Sequence, residues 1–164
     1  MGMKQALEVL NSMVSEGIIK DYAIGGAMGA MYYTEVVTTY DLDIFVVFAD
    51  ETRIDVLSPV YQYLRGRGYN VDMNMGECIN IEGVPVQFLP VNDGLVKDAL
   101  GDANEIDYDG VPTKVLKATY LAAICIKVGR TKDKVRTQML LASNGFDNAE
   151  FQRILLKHGL EVPQ

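Results

Sequence analysis

Two carboxylates two residues apart, Asp41 and Asp43, interrupt an apolar run in the stretch YDLDIFVVF. In a strand, side chains at i and i+2 leave the same face, with their Cα atoms roughly 6.6 Å apart. The spacing therefore points both acids one way and Leu42, Ile44, Val46 and Phe48 the other. Burying an ionised carboxylate costs several kcal/mol unless something pairs with it. Either a metal ion sits between the two acids or the strand end opens into a cleft. Oxygen-only ligation suits Mg²⁺, which takes one or two carboxylates together with substrate phosphates. This is the arrangement of metal-assisted phosphoryl or nucleotidyl transfer. About 15 residues upstream, Gly25 and Gly26 close the run YAIGG. A strand-to-helix turn there would expose backbone N–H groups at a helix N-terminus, a natural phosphate cradle.

Charge supplies a third element. The net charge of -7 argues against broad, sequence-independent nucleic-acid binding, which needs a large basic surface. Yet Lys114, Lys117, Lys127, Arg130, Lys132, Lys134 and Arg136 account for seven of the 15 basic residues, with Asp133 the single acid among them. A local positive segment on an acidic body suits a small anionic ligand such as a triphosphate better than a long duplex. Basic residues near helix C-termini on a solvated face are the plainer reading.

Around these residues the chain reads as one domain of 164 residues in two halves. Helical spacing of Leu7, Leu10, Met13 and Val14, ended by Gly17, predicts a first helix. Tyr22 to Ile24 reads as a short strand, the stretch after Gly26 as a helix with Met31 in the core, and Leu42 to Phe48 as a central strand. Ser58 to Gly68 reads as a helix, and the runs YNVDMNM, ECINIEG and VPVQFLPV as strands, the last two forming a hairpin at Gly83. A short helix over Asn92 to Leu100 and an edge strand at EIDYDGVP complete the first half. From Thr113 the pattern predicts helices to the end: Thr113 to Val128, Lys132 to Ser143 and Ala149 to Lys157. The expected architecture is α/β (α+β): a small mixed β-sheet flanked by helices over residues 1–110, and a helical C-terminal portion over 111–164, sharing one core.

Other features read as structural. Cys78 and Cys125 show no metal-type spacing and are expected to be reduced thiols. Asp107 and Asp109 form a second Asp-x-Asp, but it ends in an Asp-Gly turn. Asp133 suits a helix start, where it complements the dipole, and His158 sits in the last turn of the final helix. No apolar run approaches the roughly 20 residues of a membrane span, and the N-terminus lacks a signal-peptide layout, so a cytoplasmic location is expected.

The stretch IGGAMGAMYYTEVVTTYDLDIFVVF resembles the signature of the nucleotidyltransferase superfamily, in which a Gly-Gly or Gly-Ser turn opens a helix and a strand with Asp-x-Asp follows. Thr39-Tyr40-Asp41-Leu42-Asp43 is similar to the Thr-x-Asp-x-Asp pattern of the minimal, AbiEii-like branch found in bacterial toxin-antitoxin systems. Gly129 to Asp133 and the closing ILLKHGL also look like that branch. The resemblance implies the nucleotidyltransferase fold, Mg²⁺ on Asp41 and Asp43 as catalytic and metal-binding residues, phosphates at Gly25 and Gly26, and Thr39 among the nucleotide-binding residues. It implies transfer of a nucleotidyl group from a nucleoside triphosphate to a hydroxyl on a small molecule, a tRNA or a protein. Lys127, Arg130 and Lys132 are candidates for the triphosphate or the acceptor. A toxin-antitoxin relationship implies a protein partner as well. Two departures stand out. Gln87 occupies the place where a third carboxylate is expected, with Asp72, Glu77 or Glu82 as alternative sources, and Val37 replaces an Arg that often precedes the motif. A non-catalytic nucleotide-binding or protein-interaction module is the alternative that Gln87 favours.

Overall fold

Alternation along LDIFVVF sets the two sides of the molecule. In a computed structural model, which describes residues 2–34, 41–50, 52, 55–70 and 78–162, this segment is strand β2 (Leu42–Phe48). Leu42, Ile44, Val46 and Phe48 are buried on one face, while Asp43, Phe45 and Val47 are half-buried on the other. The elements before it are α1 (Gly2–Ser15), β1 (Ile19–Gly25) and α2 (Gly26–Tyr33). After it come α3 (Ser58–Gly66), β3 (Cys78–Ile81), β4 (Val84–Pro90), α4 (Gly94–Gly101), β5 (Asn104–Tyr108), β6 (Val111–Val115), α5 (Ala118–Val128), α6 (Thr131–Leu141) and α7 (Asn148–His158).

The six described strands form one mixed sheet in the order β3-β4-β2-β1-β6-β5. β2 runs antiparallel to β1 and parallel to β4, so Asp43 faces Gly25 on one side and Gln87 on the other. The even-numbered residues of β2 join Leu7, Leu10 and Met13 of α1 and Val60 and Leu64 of α3 in one core. Phe45 and Val47 join a second core beneath α2, α4, α5, α6 and α7, built on Ala30, Leu95, Leu121, Leu140 and Phe151. β2 is thus apolar on both faces except where it starts. The acids lie at that start.

Two expectations are corrected. Val111–Val115, expected to open the helical portion, is strand β6, paired with β1 through Ile24 and Val115 and with β5 along its length. Asp109 and Gly110 have φ of 51° and 87°, and the Asp107 carboxylate accepts from the Gly110 N–H at 2.8 Å, which closes a β5–β6 hairpin. Val111, Thr113 and Val115 are buried by that pairing, and the helix begins only at Ala118. Met31, expected in the core, is 41% exposed, because α2 has only eight residues and its covered face carries Gly29 and Ala30. The β3–β4 hairpin forms at Gly83 as expected, whereas most of the expected YNVDMNM strand lies outside the described residues. Among the described residues no helix is long and apolar enough to cross a membrane.

Candidate active site

The site grows from the β1–α2 turn. Gly25 ends β1 opposite Asp43, and a Cβ there would overlap the Phe45 ring and come within 3.2 Å of Leu116 Cδ1. Its glycine therefore serves close packing, and the residue is buried behind the site. Gly26 opens α2 with φ +59°, and its missing Cβ leaves the space taken by the Asp43 carboxylate, whose Cγ would lie 2.7 Å away. Gly25 caps α2 without a side-chain hydrogen bond, so the first-turn N–H groups of the helix are offered to the cleft that Gly26 and Ala27 line.

That cleft, of about 810 Å³, gathers most of the residues singled out by sequence. Asp41, Asp43, Gly26, Gln87, Lys127, Arg130 and Lys132 all border it, with Phe45, Leu89, Leu95 and Leu121 forming an apolar wall. Asp41 is exposed just before β2, and Asp43 is half-buried as the second residue of the strand. Burial foremost, and then the charge of Asp41, push the Asp43 carboxyl above the ordinary carboxylate range against the opposing pull of Arg136, Lys132 and Arg130. Thr39 and Val37 lie outside the described residues, as do Asp72 and Glu77. Glu82 is not in the cleft: it sits in the β3–β4 turn at φ 53° and accepts from the Tyr69 hydroxyl at 2.6 Å. Gln87 stands beside Asp43 on β4, so the neighbouring strand offers an amide at the register where a third acid was sought. Among the described residues no group of three or more His, Cys, Asp or Glu is arranged to hold a metal ion.

Three charged residues were missed or underread. Asp93 caps α4 by accepting from the Val96 N–H at 2.9 Å and pairs with Lys127 at 3.1 Å, fixing that lysine at the cleft wall. Asn-Asp-Gly before an apolar run marks a cap, but nothing local places it against α5. Asp133 does start α6 as expected, accepting from the Arg130 N–H at 3.2 Å. It is also 1% exposed and holds the Arg130 guanidinium through Nε at 2.6 Å and a second nitrogen at 3.2 Å. In sequence Arg136 stands out only as part of the basic segment. Lying four residues after Lys132 on α6, it shares that residue's helix face, which was the available signal.

Asp133 anchors this wall electrostatically. Burial acts to raise its carboxyl, but the hydrogen bonds and charge of Arg130, with Arg136 adding to them, hold it below the ordinary range. The native state thus binds fewer protons there than the unfolded chain, so this contribution is present at neutral pH and is lost as pH falls through the usual carboxylate range and below. Removing one partner of a buried pair costs about 3–5 kcal/mol. Asp133→Ala is expected to approach the lower end, since Arg130 can turn to solvent. Urea unfolding at neutral and acidic pH measures it: the deficit should shrink on acidification, and a constant deficit would argue against an electrostatic origin.

No family model matches the chain, and no curated protein matches its sequence. Solved structures do match. An antigenic nucleotidyltransferase-like protein from Paracoccidioides brasiliensis superposes with a TM-score of 0.57 over 96% of this chain and 87% of its own, at 15% identity. The chain has the nucleotidyltransferase fold. The antibiotic-resistance factor ANT(2'')-Ia, in its solution structure, is similar too, with a TM-score of 0.54, 11% identity and coverage of 97% and 93%. Both alignments take in nearly the whole of this chain.

Proposed function

We propose that this chain is a Mg²⁺-dependent nucleotidyltransferase of the AbiEii-like type, which moves a nucleotidyl group from a nucleoside triphosphate to a hydroxyl acceptor. One observation carries the reading: Asp41 and Asp43 open onto the same cleft as the uncapped N-terminus of α2 and a wall of cations. The donor set fits the metal, being two carboxylates and the Gln87 carbonyl, all oxygen, with the half-buried Asp43 repelled by its neighbour and in need of a counter-charge. Bound there, Mg²⁺ would supply charge stabilisation at the transferring phosphate.

The chain's own residues perform the rest. The α2 first turn binds phosphate oxygens, and Lys132 adds positive charge from α6. Lys127 is held at the wall by Asp93. The acceptor oxygen forms a bond to the α-phosphorus, the α–β phosphoanhydride bond breaks, pyrophosphate leaves and the acceptor proton passes to solvent. Gln87 is neutral and takes no proton. This last point favours a second reading, a nucleotide-binding or protein-interaction module that keeps the site and transfers slowly or not at all.

Calorimetric titration of ATP, GTP, CTP and UTP with Mg²⁺ against wild type and Asp41→Ala/Asp43→Ala tests the site. Metal-dependent binding of at least one triphosphate, lost in the double variant, is expected. Absence of binding to all four by the wild type would sink the proposal. Labelled-nucleotide transfer to small-molecule, tRNA and protein acceptors then separates the enzyme from the binding module.

A further inference from the structure

Two guanidiniums converge on one buried carboxylate in α6, and they do so unequally. Arg130 grips Asp133 with both prongs, at 2.6 and 3.2 Å, and its side chain as a whole is 55% exposed. Arg136 approaches the same carboxylate at 3.6 Å, longer than a hydrogen bond, and is only 15% exposed. One carboxylate neutralises one guanidinium, so the second leaves surplus positive charge on this wall. Arg136 borders the cleft, as does Cys125 of α5, and its side chain is largely buried there.

We propose that Arg136, positioned by Asp133, is the guanidinium that receives the non-bridging oxygens of the triphosphate, while Arg130 serves to hold Asp133 and the start of α6. This inference rests on the cleft being a triphosphate site. An arginine has five N–H donors in a rigid fork, and a weak ion pair to Asp133 leaves most of them for a ligand. Lys132, one turn earlier on the same face, adds a point charge beside it. A wall built in this way recognises polyphosphate charge and not the base.

The experiment titrates inorganic tripolyphosphate, pyrophosphate and the four nucleoside mono- and triphosphates with Mg²⁺ into wild type, Arg136→Met, Arg136→Lys and Arg130→Met, with thermal unfolding followed on the same samples. Arg136→Met should weaken tripolyphosphate and nucleoside triphosphate roughly tenfold to a hundredfold. Its effect should shrink with phosphate number, to under about threefold for monophosphates, and Arg136→Lys should fall between it and wild type. Arg130→Met should lower the unfolding temperature and change triphosphate affinity less than Arg136→Met does. Equal losses for mono- and triphosphates, or wild-type affinity in Arg136→Met, would overturn the assignment. If Arg136→Met does not fold, Arg136→Gln is judged by the same criteria. Wild type that binds triphosphates in an Asp41- and Asp43-dependent way, with Arg136→Met unchanged, refutes this inference alone. Wild type that binds neither triphosphate nor tripolyphosphate refutes both readings.

Discussion

In the metal-free protein, Asp43→Asn is expected to unfold at a higher temperature than wild type at neutral pH and to lose Mg²⁺-dependent nucleotide binding by at least about a hundredfold. Both halves follow from the same carboxylate. Burial, and then the charge of Asp41, raise the Asp43 carboxyl above its ordinary value, so the native state holds that proton more tightly than the unfolded chain does. Stability therefore declines as pH rises from the unfolded carboxylate value through the raised one, and above both the ionised group is a net cost. The amide keeps the shape and removes the charge. Substitutions that relieve functional strain of this sort stabilise by about 0.5–2 kcal/mol, and each kcal/mol moves Tm by roughly 2–4 °C in a domain of this size. The gap between variant and wild type should close on acidification. Tm measured across the acid-to-neutral range, with Mg²⁺ and nucleotide titrations alongside, decides it. A less stable Asp43→Asn that still binds metal normally would refute both parts.

Gly26→Ala should be the most damaging single-methyl substitution in the site, costing about 2–4 kcal/mol. A non-glycine residue at φ +59° loses about 1 kcal/mol or more in backbone strain alone. The added Cβ would also overlap the Asp43 carboxylate, with Cγ and Cβ of that residue at 2.7 and 2.9 Å. The overlap and the strain separate in a double-variant cycle. Asp43→Ala removes the carboxylate but keeps the Cβ, so in the Gly26→Ala background it should restore part of the loss, with a coupling of about 0.5–3 kcal/mol. Additive urea-unfolding energies would mean that α2 shifts to make room, and that Gly26 does not set the position of Asp43.

The residues that were read correctly are those whose geometry is local. Asp43 faces away from Leu42 and Ile44 because strand period is two, Asp41 lies just before the strand and borders the same cleft, and Gly26 follows a strand and opens a helix. The hairpin at Gly83 and the turn at Asp109-Gly110 have the same character. Val111–Val115 is the exception. Its neighbours downstream continue into a helix, but the turn at Asp109-Gly110 folds it back on β5 along its whole length, and β1 adds one pair at Ile24 and Val115. Met31 carries an apolar side chain, yet whether anything covers it depends on where the short α2 ends against other helices.

The same division runs through the site. By itself the sequence determined the chemistry on offer: a convergent acid pair, a glycine turn able to expose N–H groups, a basic segment, and an amide at Gln87. Those are properties of residue type and of periods of two and 3.6, which act over a few residues. Only the tertiary structure decided which charges meet. It set Gln87 beside Asp43 across the β2–β4 pair and Asp93 against Lys127, and it buried Asp133, whose two arginine partners lie only three residues away along the chain. It also separated Gly25, which packs behind the cleft, from Gly26, which lines it. Ion pairing and burial depend on distance in space, and segments far apart in the chain are brought together only when the sheet and its covering helices close on a common core.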